Sequence, residues 1–120
     1  MKKVLIVDDE ALIREGLELA LRNEGYGVEV AGNGEEALQV LEHFRPDVIV
    51  TDIIMPEKDG IELVLNIRKI DKSIRIIAIS GGGRISANDH LKMASQLGAN
   101  SILAKPFSIS DLIAEIENSK

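Results

Sequence analysis

Five short aliphatic runs, spread along a chain of 120 residues, dictate what this protein can become. They are Val4-Leu5-Ile6-Val7, Val28-Glu29-Val30-Ala31, Val48-Ile49-Val50-Thr51, Ile74 to Ile79, and Ile102-Leu103-Ala104. Most of their residues are β-branched or aliphatic, and three of the runs are nearly continuous in apolar side chains. Strands that alternate apolar and polar residues have one wet face, whereas unbroken aliphatic runs are buried on both faces. The runs therefore predict the interior strands of a sheet covered on each side.

The segments after the runs have helical spacing. Leu12/Ile13, Leu17 and Ala20/Leu21 mark the first, and Ala37/Leu38, Leu41 and Phe44 the second. Ile61, Val64/Leu65 and Ile67 mark the third, Leu91, Ala94 and Leu97 the fourth, and Ile109, Leu112/Ile113 and Ile116 the fifth. Four of them open with a side-chain acceptor followed three residues later by an acid: Asn33 and Glu36, Asp59 and Glu62, Ser86 and Asp89, Ser108 and Asp111. The acceptor can cap a free helix N–H, and the acid favours the positive end of the helix dipole. Asn23 to Gly27 and Gly98-Ala99-Asn100 supply stops.

Strand then helix, repeated five times with connections too long for hairpins, predicts an α/β doubly wound fold: a five-stranded parallel sheet with helices on both faces. No linker or low-complexity segment interrupts the pattern, so a single domain over residues 1–120 is expected. At this length folding removes about two thirds of the surface of the unfolded chain, enough for one core to stabilise it. The absence of cysteine excludes thiol catalysis and thiolate metal sites. A formal charge of -6 argues against direct nucleic-acid binding, or membrane binding, through a basic surface. The apolar run near the N-terminus is too short for a signal peptide or a membrane span, so no membrane insertion and a cytoplasmic setting are expected.

In open parallel sheets, ligands bind beyond the carboxyl ends of the strands where the winding reverses. Those ends carry Asp8-Asp9, Asp52, Ser80 and Lys105 on strands one, three, four and five, while strand two ends in Ala31-Gly32-Asn33-Gly34 and offers only a helix cap. A strand order of 2-1-3-4-5 would gather the four polar ends and put three carboxylates in one pocket. Each residue has an ordinary reading when taken singly: Asp9 as a helix cap, Asp52 as the start of a turn, Ser80 as strand-ending turn chemistry, Lys105 as a solvated lysine. Their convergence has none.

Three neighbouring carboxylates repel, so the site must raise a pKa or recruit a hard divalent cation with oxygen ligands. Mg²⁺ is the natural candidate, with two acids holding it and the third available as an attacking oxygen. A phosphoryl group arriving there needs its oxygens neutralised, which the metal, a lysine and a hydroxyl can do together. Formally, Asp8, Asp9, Lys105 and Mg²⁺ sum to about +1, a match for a doubly negative phosphoryl group on Asp52.

Val7-Asp8-Asp9-Glu10, Thr51-Asp52-Ile53-Ile54-Met55-Pro56 with Asp59-Gly60, Ala78-Ile79-Ser80, and Ala104-Lys105-Pro106-Phe107 resemble the receiver domain of two-component response regulators, from Lys3 to about Asn118. The resemblance implies a flavodoxin-like fold and phosphorylation of Asp52 by a histidine kinase or phosphotransfer protein. It places Mg²⁺ or Mn²⁺ on Asp8, Asp9, Asp52 and the backbone carbonyl of Ile54, with Ser80 as the hydroxyl and Lys105 as the lysine, the bond to Pro106 being cis. It further implies a switch that catalyses its own phosphoryl transfer and slow hydrolysis, is not a conventional enzyme, and changes its binding to a downstream protein. As given, the chain resembles a stand-alone regulator with no output domain, or a receiver cut from a longer protein.

Two positions depart from the family pattern. Ile102 stands where receivers carry Tyr or Phe, so readout by a relocating ring is not expected, and its ordinary role is packing in the last strand. Gly81-Gly82-Gly83 follow Ser80, which predicts an easily moved loop sharing in the switch. Two other classes stand beside the phosphoacceptor switch. One is a phosphorylation-independent receiver-like interaction module; the other is a small-molecule phosphohydrolase, for which the chain leaves no room for a cap.

Overall fold

The computed structural model describes residues 2–52, 60–80 and 98–118. Its elements are β1 (Lys3–Val7), α1 (Ala11–Asn23), β2 (Gly27–Ala31), α2 (Gly34–Val40), β3 (Val48–Asp52), α3 (Gly60–Ile70), β4 (Arg75–Ser80), β5 (Ser101–Ala104) and α4 (Ile109–Glu117). The five strands form one parallel sheet in the order β2-β1-β3-β4-β5. The helical segment expected around Leu91 to Leu97 lies outside the described residues, as do Ser86, Asp89 and Asp59.

Period-two side-chain alternation splits the sheet into two cores. Val4 and Ile6 of β1, with Val48 and Val50 of β3 and Ile77 and Ile79 of β4, face Leu17 and Leu21 of α1 and Leu112 and Ile116 of α4. Leu5 and Val7, with Ile49 and Ile76, face Ala37 and Leu41 at α2 and Leu63, Val64 and Ile67 of α3. All five residues of β3 are buried, as a central strand covered on both sides requires. Each fully buried Leu or Ile contributes about 1.5–3 kcal/mol of transfer free energy, so the two cores supply most of the driving force.

Two of the expected caps are present. Asn33 Oδ1 accepts from the Glu36 N–H at 2.9 Å, and Ser108 and Asp111 form a reciprocal capping box at α4. Gly25 and Gly98 take positive φ, closing α1 and leading into β5. The helical faces need correction in three places. α2 ends at Val40, short of Phe44, where the chain tightens: the Glu42 and His43 N–H groups bond the carbonyls three residues back, of Gln39 and Val40, and Phe44 packs half-buried against the core from outside the helix. On α3 the inward positions are Leu63, Val64 and Ile67, and Leu65 is exposed. On α1, Leu12 is 86% exposed, since the first turn of the helix runs past the edge of the core.

Candidate functional site

The parallel sheet brings the carboxyl ends of β1, β3 and β5 to one edge. Asp8, just beyond β1, donates its backbone N–H to the Ala31 carbonyl at 3.1 Å, which keeps the chain in register with β2 for one more residue. Its Oδ1 accepts the Glu10 N–H at 2.9 Å, and its backbone carbonyl accepts from Arg14 Nη1 at 2.8 Å. Asp9 does not cap α1: the N-cap is Glu10, with no side-chain hydrogen bond to the helix. The ordinary reading of Asp9 is therefore overturned, and its exposed carboxylate is turned to the cluster. Asp52 closes β3 beside Ile79 of β4 and is 6% exposed.

Asp8, Asp9 and Asp52 each offer one carboxylate oxygen, and these oxygens lie within 4.8 Å of one another. Lys105, after β5, donates from Nζ to Asp52 Oδ2 at 3.0 Å and stands 3.9 Å from both Asp8 Oδ2 and Glu10 Oε1. The Lys105–Pro106 bond is cis. Ser80 ends β4 opposite Ala104 of β5, and Ile102 pairs with Ala78, half-buried. Ile54, Gly81 and Gly82 lie outside the described residues.

The electrostatics follow from burial. Asp8 is 1% exposed, and desolvation, reinforced by repulsion from Asp52 and Asp9, raises its pKa above the ordinary carboxylate value despite the Glu10 N–H and the Lys105 charge. Burial lowers the Lys105 pKa, but the hydrogen bond and charge of Asp52, with Asp8 and Glu10 behind them, outweigh it and leave the ammonium net raised. Lys105 is thus held protonated, shared among three acids.

Asp8 Oδ2 is buried and accepts no hydrogen bond among the described residues. A buried, unsatisfied carboxylate oxygen is costly, and it sits in an all-oxygen donor set with no soft ligand. That set fits a hard divalent cation, and the orphan oxygen is the ligand such an ion would satisfy. Glu10 and Arg14 were not singled out by the sequence reading. Glu10 was visible only as the residue after the acid pair, while Arg14 carried only the signal of lying one helical turn beyond it.

Residues 4–117 match the family model described as response regulator receiver domain. The chain belongs to this family. Among its relatives, the transcriptional regulatory protein PdtaR of Mycobacterium tuberculosis is 44% identical over 117 residues, covering 97% of this chain and 55% of that protein. Response regulator MprA of Mycobacterium leprae is 34% identical over 114 residues, covering 95% and 49%. The chain spans about half the length of these curated relatives. The receiver fold is equally clear from solved structures. Chemotaxis response regulator CheY4 of Vibrio cholerae superposes with a TM-score of 0.88 at 33% identity, covering 100% of this chain and 99% of that one. Response regulator TrrA of Thermotoga maritima, solved in complex with Mg²⁺-BeF, gives 0.83 at 33% identity with complete coverage of both chains. As in other receivers of two-component systems, the fold is flavodoxin-like. Among the described residues, no helix is long and apolar enough to cross a membrane.

Proposed function

We propose that this receiver domain is a phosphoacceptor switch in which Asp52 takes a phosphoryl group from a histidine kinase or phosphotransfer protein. The observation that carries the reading is the convergence of three carboxylates beside a lysine already bonded to Asp52 at 3.0 Å. Asp8, Asp9 and Asp52, together with the Ile54 backbone carbonyl, would hold Mg²⁺ or Mn²⁺. Bound there, the ion supplies Lewis-acid neutralisation of phosphoryl oxygens. An Asp52 carboxylate oxygen attacks phosphorus, the bond from phosphorus to the donor nitrogen or oxygen breaks, and the leaving group departs with its electron pair. The product is an acyl phosphate on Asp52. Lys105 then exchanges its Asp52 carboxylate contact for a phosphoryl oxygen, and the Ser80 hydroxyl donates to another. Water later hydrolyses the acyl phosphate, so the switch resets without a conventional catalytic cycle.

The docking place for the donor is an apolar groove of about 640 Å³ between α1 and the segment leading into α4. Leu12, Ile13, Pro106, Phe107 and Ile109 line it, together with Lys105. A partner helix seated there lies next to Asp52, because the same lysine borders both. Mass spectrometry after treatment with Mg²⁺ and acetyl phosphate should show one added phosphoryl group, absent in Asp52→Asn. Labelling that persists in this variant would move the acceptor elsewhere, and failure to bind Mg²⁺ with beryllofluoride would favour the phosphorylation-independent module. Leu12→Asp should slow transfer from the cognate kinase about tenfold while leaving acetyl phosphate labelling intact, since an apolar anchor lost from a docking core costs on the order of 1–2 kcal/mol.

A further inference from the structure

We infer that Arg14 is a positioning residue for the acidic site, acting through the Asp8 backbone, with Gly32 leaving uncrowded the space its guanidinium occupies. The inference rests on the proposed divalent-cation site at Asp8, Asp9 and Asp52. Arg14 lies one turn into α1, where its own N–H closes on the Glu10 carbonyl at 3.0 Å. Its guanidinium reaches back and donates from Nη1 to the Asp8 carbonyl at 2.8 Å. Asp8 is thereby gripped at three points: its N–H by Ala31, its Oδ1 by the Glu10 N–H, and its carbonyl by Arg14. With these fixed, Oδ2, which has the Lys105 ammonium at 3.9 Å but accepts no hydrogen bond among the described residues, is the buried oxygen left to meet a cation.

The choice of a carbonyl partner matters as much as the contact. A guanidinium near carboxylates ordinarily pairs with them, often through two parallel hydrogen bonds. Such a pair on Asp8 or Asp9 would neutralise the charge that a divalent cation needs. Among the described residues Arg14 makes no ion pair with either acid. The floor under the guanidinium is Gly32, at the end of β2. A Cβ there would stand 3.3 Å from Arg14 Nη1 and 3.3 Å from Glu36 Oε1, the oxygen that accepts the Gly32 N–H at 2.8 Å. Both contacts are tighter than most Cβ contacts, so even an alanine would press the guanidinium and the Glu36 carboxylate aside by a few tenths of an ångström.

The test is Mg²⁺ affinity, read from backbone amide shifts of Asp8 and Asp9 in NMR titrations of wild type, Arg14→Ala, Arg14→Lys and Gly32→Ala. Partners that orient metal ligands typically change affinity about 10–100-fold, and an effect relayed through the backbone belongs at the low end. Arg14→Ala should weaken binding about tenfold, with Arg14→Lys in between because an ammonium can still donate to the carbonyl, and Gly32→Ala should weaken it less than Arg14→Ala because it only presses on the guanidinium. Ser108→Ala, a cap deletion away from the site, should lower stability and leave the affinity unchanged. An affinity of Arg14→Ala within twofold of wild type would overturn the inference, as would tighter binding, which would make Arg14 a competitor of the cation; a Gly32→Ala effect as large as that of Arg14→Ala would overturn the graded role of Gly32. Wild type without measurable Mg²⁺ binding would overturn the cation site itself.

Discussion

The two ends of the sheet treat polar groups in opposite ways. At the amino ends, side chains are spent on the backbone. Asp47, one residue before β3, accepts the Lys3 N–H on its carboxylate at 2.8 Å, while its carbonyl takes the Arg75 N–H. Asn100, one residue before β5, accepts both the Ile76 N–H at 2.7 Å and Arg68 Nη2 at 2.9 Å on its Oδ1. Arg68 also donates to the carbonyls of Gly98, Lys72 and Ile74. At the carboxyl ends, three acids crowd one lysine and the buried Asp8 Oδ2 has no hydrogen bond among the described residues. One end is satisfied and fixes register; the other is left electrostatically incomplete, and incompleteness of this kind is what a cation and a phosphoryl group can relieve.

The sharpest way to break this contrast is at Arg68. Arg68→Ala leaves several carbonyls of the amino end without their donor and should cost about 3 kcal/mol in urea unfolding, with Mg²⁺ affinity unaltered. An equal loss of Mg²⁺ affinity would show that the two ends are not separable. The opposite sign is expected at the other end. Asp8→Asn keeps the Glu10 N–H acceptor but removes a desolvated charge, and should raise stability in Mg²⁺-free buffer at pH 7 by about 1 kcal/mol while abolishing cation binding. Because the folded pKa of Asp8 is raised above 3.8, the native state holds the proton more tightly than the unfolded chain. Wild-type stability should therefore contain a component present at acid pH and lost as pH rises from 3.8 through the raised value, and that component should vanish in Asp8→Asn.

The smallest effect belongs to Tyr26, at the amino end of β2. Its hydroxyl donates to Glu117 Oε2 at 2.5 Å, and burial, with the Glu117 bond and charge, pushes its pKa up to about 12. It is the only tyrosine, so absorbance titration reports it alone. The midpoint should fall toward 10.0 in Glu117→Gln, and the stability lost as pH rises from 10.0 to about 12 should be missing in Tyr26→Phe. A midpoint unchanged in Glu117→Gln would leave burial and the Glu24 charge as the causes.

Much of this was legible in the residues. The aliphatic runs became the five strands, and Asn33 and Ser108 became caps, because backbone pattern and capping are local. Asp8, Asp9, Asp52 and Lys105 could be grouped from the chain alone, since a parallel sheet places every carboxyl strand end on one edge. Leu12, Leu65 and Phe44 were misplaced because helical periodicity marks an apolar stripe without saying where the opposing layer stops. Arg14 was passed over for a related reason. Its partner is a backbone carbonyl, and a carbonyl has no letter in the sequence.

The sequence by itself determined the alternation of elements, the two-sided burial of the sheet and the acids at its strand ends, because these depend on residue order and period. Only the tertiary structure decided which oxygen of Asp8 is left unsatisfied, that Asp9 faces the cluster instead of capping α1, and that Gly32 makes room for Arg14. Those outcomes depend on separations of a few ångströms between segments distant in the chain, and it is packing of the helices against the twisted sheet that sets them.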